Sequence, residues 1–483
     1  MPRRKTDKSL VLALDIGTSS SRASLFTDDG ARLVSTTIQQ AYALKYTSDG
    51  GAELSPYTLL KAVKNCIGRT LQIRRNDPKL RHLPIAGVGT SCFWHSMIGV
   101  GGKNTPLTPV YTWADSRCRP DAAKLREEFS ERAVHSRTGC MLRTSFWPAK
   151  LAWLRRTRPD LKVRIWMSPA EWLYREFLGV ANCSFSMASG TGIFRPDKLA
   201  WDGELLAHFH MDGSVLNVPG DEPLAGCRHF AELKSVPWFP AIGDGAASNL
   251  GSGATREGLA AINVGTSAAL RVMKSGGKVR SPFGLFCYRV DEKRFLMGGA
   301  VSNAGNLRAW CLRELKLTDD SKLLEREMAK RPSPMHGLTV LPFWTAERAP
   351  TWEDDKTGVI QGMTQHTTAL DILQATTEAS YYRIARIADL VLKEEKTAPK
   401  FIVSGGIVYS RSSVQRLADI LNQPVYVNEE PEASLRGAAI FALEKIGKKI
   451  TALKLRKAVK PRRKIAALYQ QAKDAQQSLE RAL

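Results

Sequence analysis

The chain has 483 residues, 43% of them hydrophobic and 24% charged, with a net charge of +23. This is globular composition, too long for one compact core and suited to two or three domains. No apolar run reaches the ~18 residues of a membrane helix, and the basic start MPRRKTDKSL leads only into a short run that Asp15 ends, so no spanning segment or secretory signal is expected and the reading is cytoplasmic.

Leu10–Leu14 reads as a buried strand that passes through Asp15-Ile16-Gly17-Thr18 into a tight turn, and Arg22–Thr27 as the returning strand. Asp28-Asp29-Gly30 is a hairpin signal, after which Arg32–Ile38 is expected as a third strand. Helical spacing of apolar residues follows over Pro56–Leu71, Ala122–Phe129 and Ala149–Arg156. The eight cysteines along the chain include no C-x-x-C pair, which gives no zinc or dithiol motif and predicts reduced, mostly buried thiols. Ile242-Gly243-Asp244-Gly245 reads as a strand entering a turn.

The opening unit then recurs. Leu259–Asn263 leads to the turn Val264-Gly265-Thr266-Ser267, then Ala268–Met273, then the turn Lys274-Ser275-Gly276-Gly277. LALDIGTSSSRASL aligns over AAINVGTSAALRVM. One supersecondary unit repeated half a chain apart predicts two lobes of related fold, not a solenoid. Ala369–Lys393 is a long amphipathic helix, Phe401–Gly406 a buried strand ending in paired glycines, and Ser413–Leu421 and Ala433–Glu444 are further helices. The class is α/β, with lobes expected at 8–255 and 256–445.

From Lys445 onward twelve Lys and Arg stand against Asp474 and Glu480 alone. A basic helical extension is expected over 446–483, solvated on its charged face, with Pro461 separating two short helices. Leu453, Leu455, Val459, Ile465, Leu468 and Leu479 could touch the second lobe. Nucleic acid is not the expected partner despite this charge. The remaining excess of positive charge favours anionic substrates.

The chemistry is read from the turns. Gly17 lets the backbone turn sharply, and Thr18, Ser19 and Ser20 follow with amides and hydroxyls that form an anion-binding nest. Asp15 beside such a nest needs a cation between it and a polyphosphate, so it reads as a Mg²⁺ ligand. The second loop, with Gly265 and Thr266, would hold a triphosphate from the other side of a cleft. Gly405 and Gly406 would let a flat ring such as adenine approach the backbone. Asp244, flanked by glycines, suits a base that removes the proton of a hydroxyl acceptor during phosphoryl transfer. Trp94-His95 and Thr112-Trp113-Ala114-Asp115-Ser116-Arg117 supply aromatic faces for sugar C–H surfaces and directed bonds to hydroxyls and carboxylates. Each of these residues also has an ordinary structural reading as a turn, a core aromatic or a surface pair.

Taken together these stretches resemble the FGGY carbohydrate kinases, from residue 10 to about residue 444. The carriers are LALDIGTSSSRASLF, TWADSR, GDGAASNLGSG, AINVGTSAA, ERAP, SGGIVYSRSSVQRLADIL and the signature-like run GVIQGMTQHTTALDILQATTE at 358–378. The resemblance implies two actin-like (ribonuclease H-like) lobes, ATP and Mg²⁺, and catalysis in the cleft between the lobes. It implies Asp244 as catalytic base, and Asp15 and Asp244 on the metal side. It further implies Gly17, Thr18, Ser19, Ser20, Arg22, Gly265, Thr266 and Gly305 near the phosphates, and Gly405 and Gly406 at adenosine. Trp94, His95, Asp115, Arg117 and Asp244 are implied at the sugar.

Within the family the phrases ASGTGIF, LFCY, GGAVSNAG and LPFWTAERAP are most like gluconokinases, with Ala346 in place of a usual Gly and Trp94 where Met is common. D-Gluconate to 6-phosphogluconate is therefore the expected reaction. A xylulokinase-like pentulose or polyol kinase is the alternative, and a non-catalytic kinase-fold binder the third reading. The expected partner is a small sugar or sugar acid, with room for a homodimer and no membrane role.

Overall fold

A computed structural model of the chain describes residues 8–276, 280–345, 347–353, 355–395, 397–428, 430–453 and 455–483. The basic start at 1–7, Gly277 of the second hairpin turn, Ala346 and Lys454 lie outside them.

The first half builds a five-stranded sheet from β1 (Leu10–Ile16), β2 (Ser20–Thr27), β3 (Ile38–Ala41), β4 (Ile85–Cys92) and β5 (Ile242–Gly243), in the order β5-β4-β1-β2-β3. β1 and β2 form an antiparallel hairpin, while β4 and β5 run parallel to β1. β1 is buried on both faces, which explains why it reads as a continuous apolar run rather than an alternating one. The third strand starts at Ile38, later than expected. Val34–Thr36 is a turn of 3₁₀ helix instead, and the Leu25 N–H donates to Thr36 Oγ1 at 2.9 Å in place of a strand partner. Helix α1 (Pro56–Asn76) covers this sheet; Ser55 caps it and Pro56 starts it.

The second half repeats the plan. β6 (Leu259–Val264), β7 (Ala268–Ser275), β8 (Phe286–Arg289), β9 (Arg294–Val301), β10 (Lys400–Ser404) and β11 (Val425–Val427) are ordered β8-β9-β7-β6-β10-β11. β6 and β7 are antiparallel, and β10 and β11 run parallel to β6. Antiparallel strands, three in the first half and four in the second, followed by two parallel ones is the duplicated topology that the repeated motif predicts. All eight cysteines are unpaired and buried.

Two helices join the halves. α2 (Asp244–Gly251) leaves β5, and α6 (Ala433–Lys445), late in the chain, crosses α2 and packs back on β1 and β4 of the first sheet. The ion pairs Arg22–Glu432 (3.3 Å) and Arg32–Glu430 (3.7 Å) tie the start of α6 to the first lobe. Between them in sequence lie α3 (Gly305–Glu314), α4 (Ala369–Lys393) and α5 (Arg411–Leu421) of the second lobe.

The C-terminal segment differs from the solvated form expected. Pro461 does not separate two helices. Residues 451–460 carry no helix among the described residues, Val459 bridges to Val425, and one long helix, α7 (Arg463–Ala482), follows. α7 is docked on the second lobe. Tyr469 is fully buried and donates to Glu378 Oε1 at 2.7 Å, and Gln476 Nε2 donates to the carbonyl of Val340 at 2.8 Å. Of the apolar residues expected to touch the lobe, Leu455, Val459 and Ile465 pack on it but Leu468 is exposed, and the buried positions of α7 are Ala466, Tyr469, Gln476 and Glu480.

Candidate active site

β1, β4 and β5 lie side by side and parallel, so their carboxyl ends open on one edge, where ligands of α/β sheets collect. Asp15 lies at the end of β1, opposite Ser91 of β4, and Ser91 Oγ donates to Asp15 Oδ1 at 2.8 Å. Asp244 follows β5 directly. It is not in an open turn, as the glycines around it suggest, but is the first residue of α2. Its Oδ1 accepts from the Gly245 amide at 2.8 Å, and the helix N-terminus favours its charged form.

Burial pushes the Asp15 carboxyl up to about 6, against relief from Ser91 and Arg22, and the Asp244 charge pushes the same way. Enclosure in the cleft raises Asp244 as well, opposed by Arg271. Two mutually repelling carboxylates at one sheet edge form a hard-oxygen site that a divalent cation would relieve. No cluster of three or more metal-ligating side chains exists among the described residues, so Mg²⁺ would take the rest of its shell from phosphate and water.

A cavity of about 240 Å³ opens beside Asp244, between the lobes. The first lobe contributes Thr18, Trp94, His95, Trp113, Ser145 and Phe146; the second contributes Asn263, Ser267, Arg271, Tyr288, Arg348 and Trp352, among others. Trp94 packs beneath the Asp244 turn and donates through Nε1 to the Ser186 carbonyl at 2.9 Å. A Cβ at Gly243 would lie 1.8 Å from the Trp94 ring, so the turn that carries Asp244 requires glycine there. His95 meets Phe146 and Tyr288 edge to face. Its Nδ1 lies 2.6 Å from the Gly190 carbonyl. A carbonyl only accepts, so Nδ1 carries the proton and Nε2 is left as an acceptor. Burial lowers the His95 pKa to about 3, so the ring is neutral and offers no cation to a substrate.

Asp115 and Arg117 do not line this cavity. Asp115 is 1% exposed and accepts from the Ala52 amide and from Arg117. Arg117 also pairs with Glu53 at 2.7 Å and lies over the ring of Trp153 at 4.5 Å. The TWADSR motif thus delivers Trp113 to the cavity and uses its charged pair to brace the lobe.

The cations of the cavity are instead Arg271 and Arg348. Arg271 stands in mid-strand β7, and its Nε is buried without a hydrogen-bond partner among the described residues. Arg348 donates to Ser302 Oγ and to the Val301 carbonyl, both at 3.1 Å, and sits 4.8 Å above the Trp113 ring. Burial, reinforced by the Arg271 charge, pulls the Arg348 pKa down to about 10. The signals in the sequence were an Arg amid the apolar residues of AALRVM and the Arg of ERAP. Neither stands out until the fold brings both to one wall.

The loops of the second lobe line a larger cavity of about 760 Å³ that includes Gly265, Thr266, Gly305, Tyr381, Gly406 and Ser410. The Gly305 amide at the start of α3 donates to the Gly265 carbonyl at 3.0 Å, which fastens this phosphate-side loop. Gly405 has a φ of +87°, and a Cβ there would lie 2.5 Å from the Val264 carbonyl oxygen. This close cradle, with Ser410 and Tyr381 on its walls, fits a nucleoside better than any bulkier backbone would. In the first lobe Gly17 closes the hairpin by donating to Ser20 O at 3.0 Å, leaving Ser19 exposed at the turn. Ser20 is only 2% exposed and its Oγ accepts from Gln39. Arg22 reaches between Asp15 (3.5 Å) and Glu432 (3.3 Å).

Comparison with known proteins bears on the fold and the family. The family model "FGGY family of carbohydrate kinases, N-terminal domain" matches residues 10–248, and the corresponding C-terminal domain model matches 260–444. The gluconokinase of Bacillus subtilis (strain 168) is 30% identical over 462 residues, covering 91% of this chain and 88% of the relative. Among solved structures, a gluconate kinase from Lactobacillus acidophilus superposes with a TM-score of 0.89 at 24% identity, over 99% of this chain and 98% of that one. A xylulose kinase from the same organism superposes with a TM-score of 0.88 at 24% identity, over 98% of each chain. Likeness at that identity speaks for the two-lobed fold.

Proposed function

The chain belongs to the FGGY family of carbohydrate kinases, and we propose that within it the chain transfers the γ-phosphate of ATP to gluconate, giving 6-phosphogluconate. The family makes it a phosphotransferase with a carbohydrate alcohol as acceptor. The observation that carries the acid substrate is the pair Arg271 and Arg348. These two cations share one cavity with a single lining carboxylate, Asp244, and each lowers its own tendency to stay charged by being enclosed there. A substrate carboxylate would pair with one or both and relieve that repulsion.

The residues divide the work as follows. Asp244 takes the proton from the acceptor hydroxyl as the phosphorus–oxygen bond forms. Arg271 opposes the rise that burial imposes on the Asp244 carboxyl and so favours its ionised form. His95, neutral and protonated on Nδ1, accepts a hydrogen bond from a sugar hydroxyl through Nε2. Trp94, Trp113 and Tyr288 hold the carbon skeleton and exclude water. Thr18 on one lobe and Gly265 and Thr266 on the other hold the phosphates, while Gly405 and Gly406 admit the adenosine. Asp15 and Asp244 would hold Mg²⁺, which when bound supplies charge neutralisation of the transferring phosphoryl group.

A pentulose or other neutral polyol is the second reading. The aromatic walls would suit it, but it would leave Asp244 as the one carboxylate in the cavity facing both Arg271 and Arg348. An ATP-consumption screen over gluconate, xylulose, ribulose and glycerol separates the two. Gluconate should have the highest kcat/KM by at least about tenfold, the worth of one good charged contact. A neutral sugar that beats gluconate removes the acid reading.

A further inference from the structure

The charge-rich C-terminal helix has no evident duty in phosphoryl transfer, yet its last turn ends in a buried ionic chain that leads to the acceptor cavity. Glu480 of α7 accepts from Arg383 Nη1 of α4 at 2.6 Å and is also paired with Arg386. Arg383 is fully buried. Its Nε donates to Glu347 at 3.0 Å and its Nη2 to Thr351 Oγ1 at 3.1 Å. Glu347 is 2% exposed and adjoins Arg348 in the chain. Thr351 likewise adjoins Trp352. Both Arg348 and Trp352 line the cavity, so the two contacts of Arg383 fasten the two ends of the short segment that presents them.

The segment is also tied through Arg348, which reaches Ser302 Oγ and the Val301 carbonyl, and through further contacts of Ala349 and Trp352. The Ala349 amide donates to the Ala300 carbonyl at 3.1 Å, and Trp352 Nε1 donates to the Gly284 carbonyl at 2.7 Å. Arg383 reaches both ends of the segment, at Glu347 and Thr351, and Glu480 is its outward partner. Lys356 Nζ donates to the Glu480 carbonyl at 2.7 Å, so the same helix end also holds the chain just beyond Trp352.

We propose that Glu480 is a positioning residue for acceptor binding, acting through Arg383 and Glu347 to hold Arg348 and Trp352 at the acceptor cavity. The C-terminal extension is then part of the acceptor site's support rather than an appendage. The effect is geometric. A buried Arg383 that loses Glu480 is drawn toward its remaining partner, and a shift of about 1 Å at a substrate-positioning group can cost one to two orders of magnitude. The proposal rests on the acceptor cavity assigned above, but not on the acceptor being acidic.

The test is a split of KM values in the full-length enzyme. Glu480→Ala should raise KM for gluconate by about tenfold or more while KM for ATP stays within about twofold and kcat within about threefold. Tyr469→Phe is the control, because it loosens the same helix at its Glu378 contact, which leads away from the cavity. It should lower Tm and leave both KM values unchanged. If Glu480→Ala does not fold, Glu480→Gln, which keeps the shape and removes the charge, is read in the same way. A Glu480 variant that loses Tm with an unchanged acceptor KM overturns the proposal, as does one whose two KM values rise together. Wild-type enzyme that ignores gluconate removes the sugar-acid reading alone, and the split is then read on the acceptor it does use.

Discussion

Arg271, on a strand of the second lobe, faces Asp244, the first residue of a helix in the first lobe, and its charge holds down the rise that enclosure imposes on the Asp244 carboxyl. The pairing exists only because the cleft closes the two lobes around one cavity. Removing the cation should raise the Asp244 pKa further, so that a higher pH is needed to ionise the base. Arg271→Gln should move the acid limb of the kcat/KM profile to higher pH and lower kcat/KM for gluconate by about 10²-fold, with a smaller loss on neutral polyols. An acid limb that stays in place would mean that Asp244 does not feel Arg271.

Asp244→Asn keeps the shape and the Gly245 contact but cannot take a proton. It should retain ATP and acceptor binding while kcat falls by at least about 10²-fold, the usual contribution of a general base. Steady-state rates with equilibrium binding by calorimetry check both halves. Near-normal kcat on the best acceptor would take Asp244 out of that role.

Asp15 gives a pH-dependent stability. Its carboxyl is raised from 3.8 to about 6 in the folded protein, so the fold favours the protonated form. That contribution is fully present below pH ~4 and is lost as pH rises through about 6, a difference of roughly 3 kcal/mol. Asp15→Asn, which resembles the protonated acid, should therefore raise the apo-protein Tm at pH 7 and give almost no gain at pH 4. A gain that is the same at both values would show that Asp15 is not held against its charge.

The fold was legible because its two most informative signals are local. The buried strand and Gly-Thr turn occur twice, and the helix at 369–393 announces itself by its amphipathic spacing; the structure adds a Thr368 capping box at its start. Asp15, Thr18, Asp244 and the glycines needed only their turn chemistry to be noticed, although α2 starting at Asp244 was masked by the glycines around it. The cationic wall of the cavity was not legible. Arg271 and Arg348 are far apart in sequence, and each resembles an ordinary strand or loop arginine until the lobes meet. The role of the tail was hidden for a related reason. Its net charge is local and conspicuous, whereas Tyr469, Gln476 and Glu480 act through partners on α4 and near 340 that no periodicity announces.

Arg117, which the sequence suggested as a carboxylate partner, should behave as a brace. Arg117→Ala leaves Asp115 buried at 1% exposure without its cation and removes a contact over Trp153. The expected result is a loss of about 3 kcal/mol or more in unfolding free energy. KM for gluconate in the folded fraction should stay within about twofold of wild type, well short of the tenfold that a lost charged contact would give. Chemical denaturation and kinetics at low temperature separate the two. A selective loss of gluconate use, with stability intact, would return Arg117 to the substrate.

Gly405 tests the nucleotide side independently of the acceptor. Its φ of +87° is costly for any residue with a side chain, and a Cβ would meet the Val264 carbonyl at 2.5 Å, inside van der Waals contact. The backbone must give way, and it can do so only by pushing β10 away from the loop that begins at Val264 or by moving that loop itself. Either movement widens the gap between the Gly265-Thr266 turn and Gly406, the two backbone stretches that line the larger cavity. The acceptor cavity shares no lining residue with the larger one and none of the Gly405 contacts. Gly405→Ala should therefore raise KM for ATP by about tenfold, a cost of ~1.4 kcal/mol, and leave KM for the acceptor within about twofold. Equal increases in both KM values would show that the two cavities move as one body, and the division of labour between the lobes' loops would have to be redrawn.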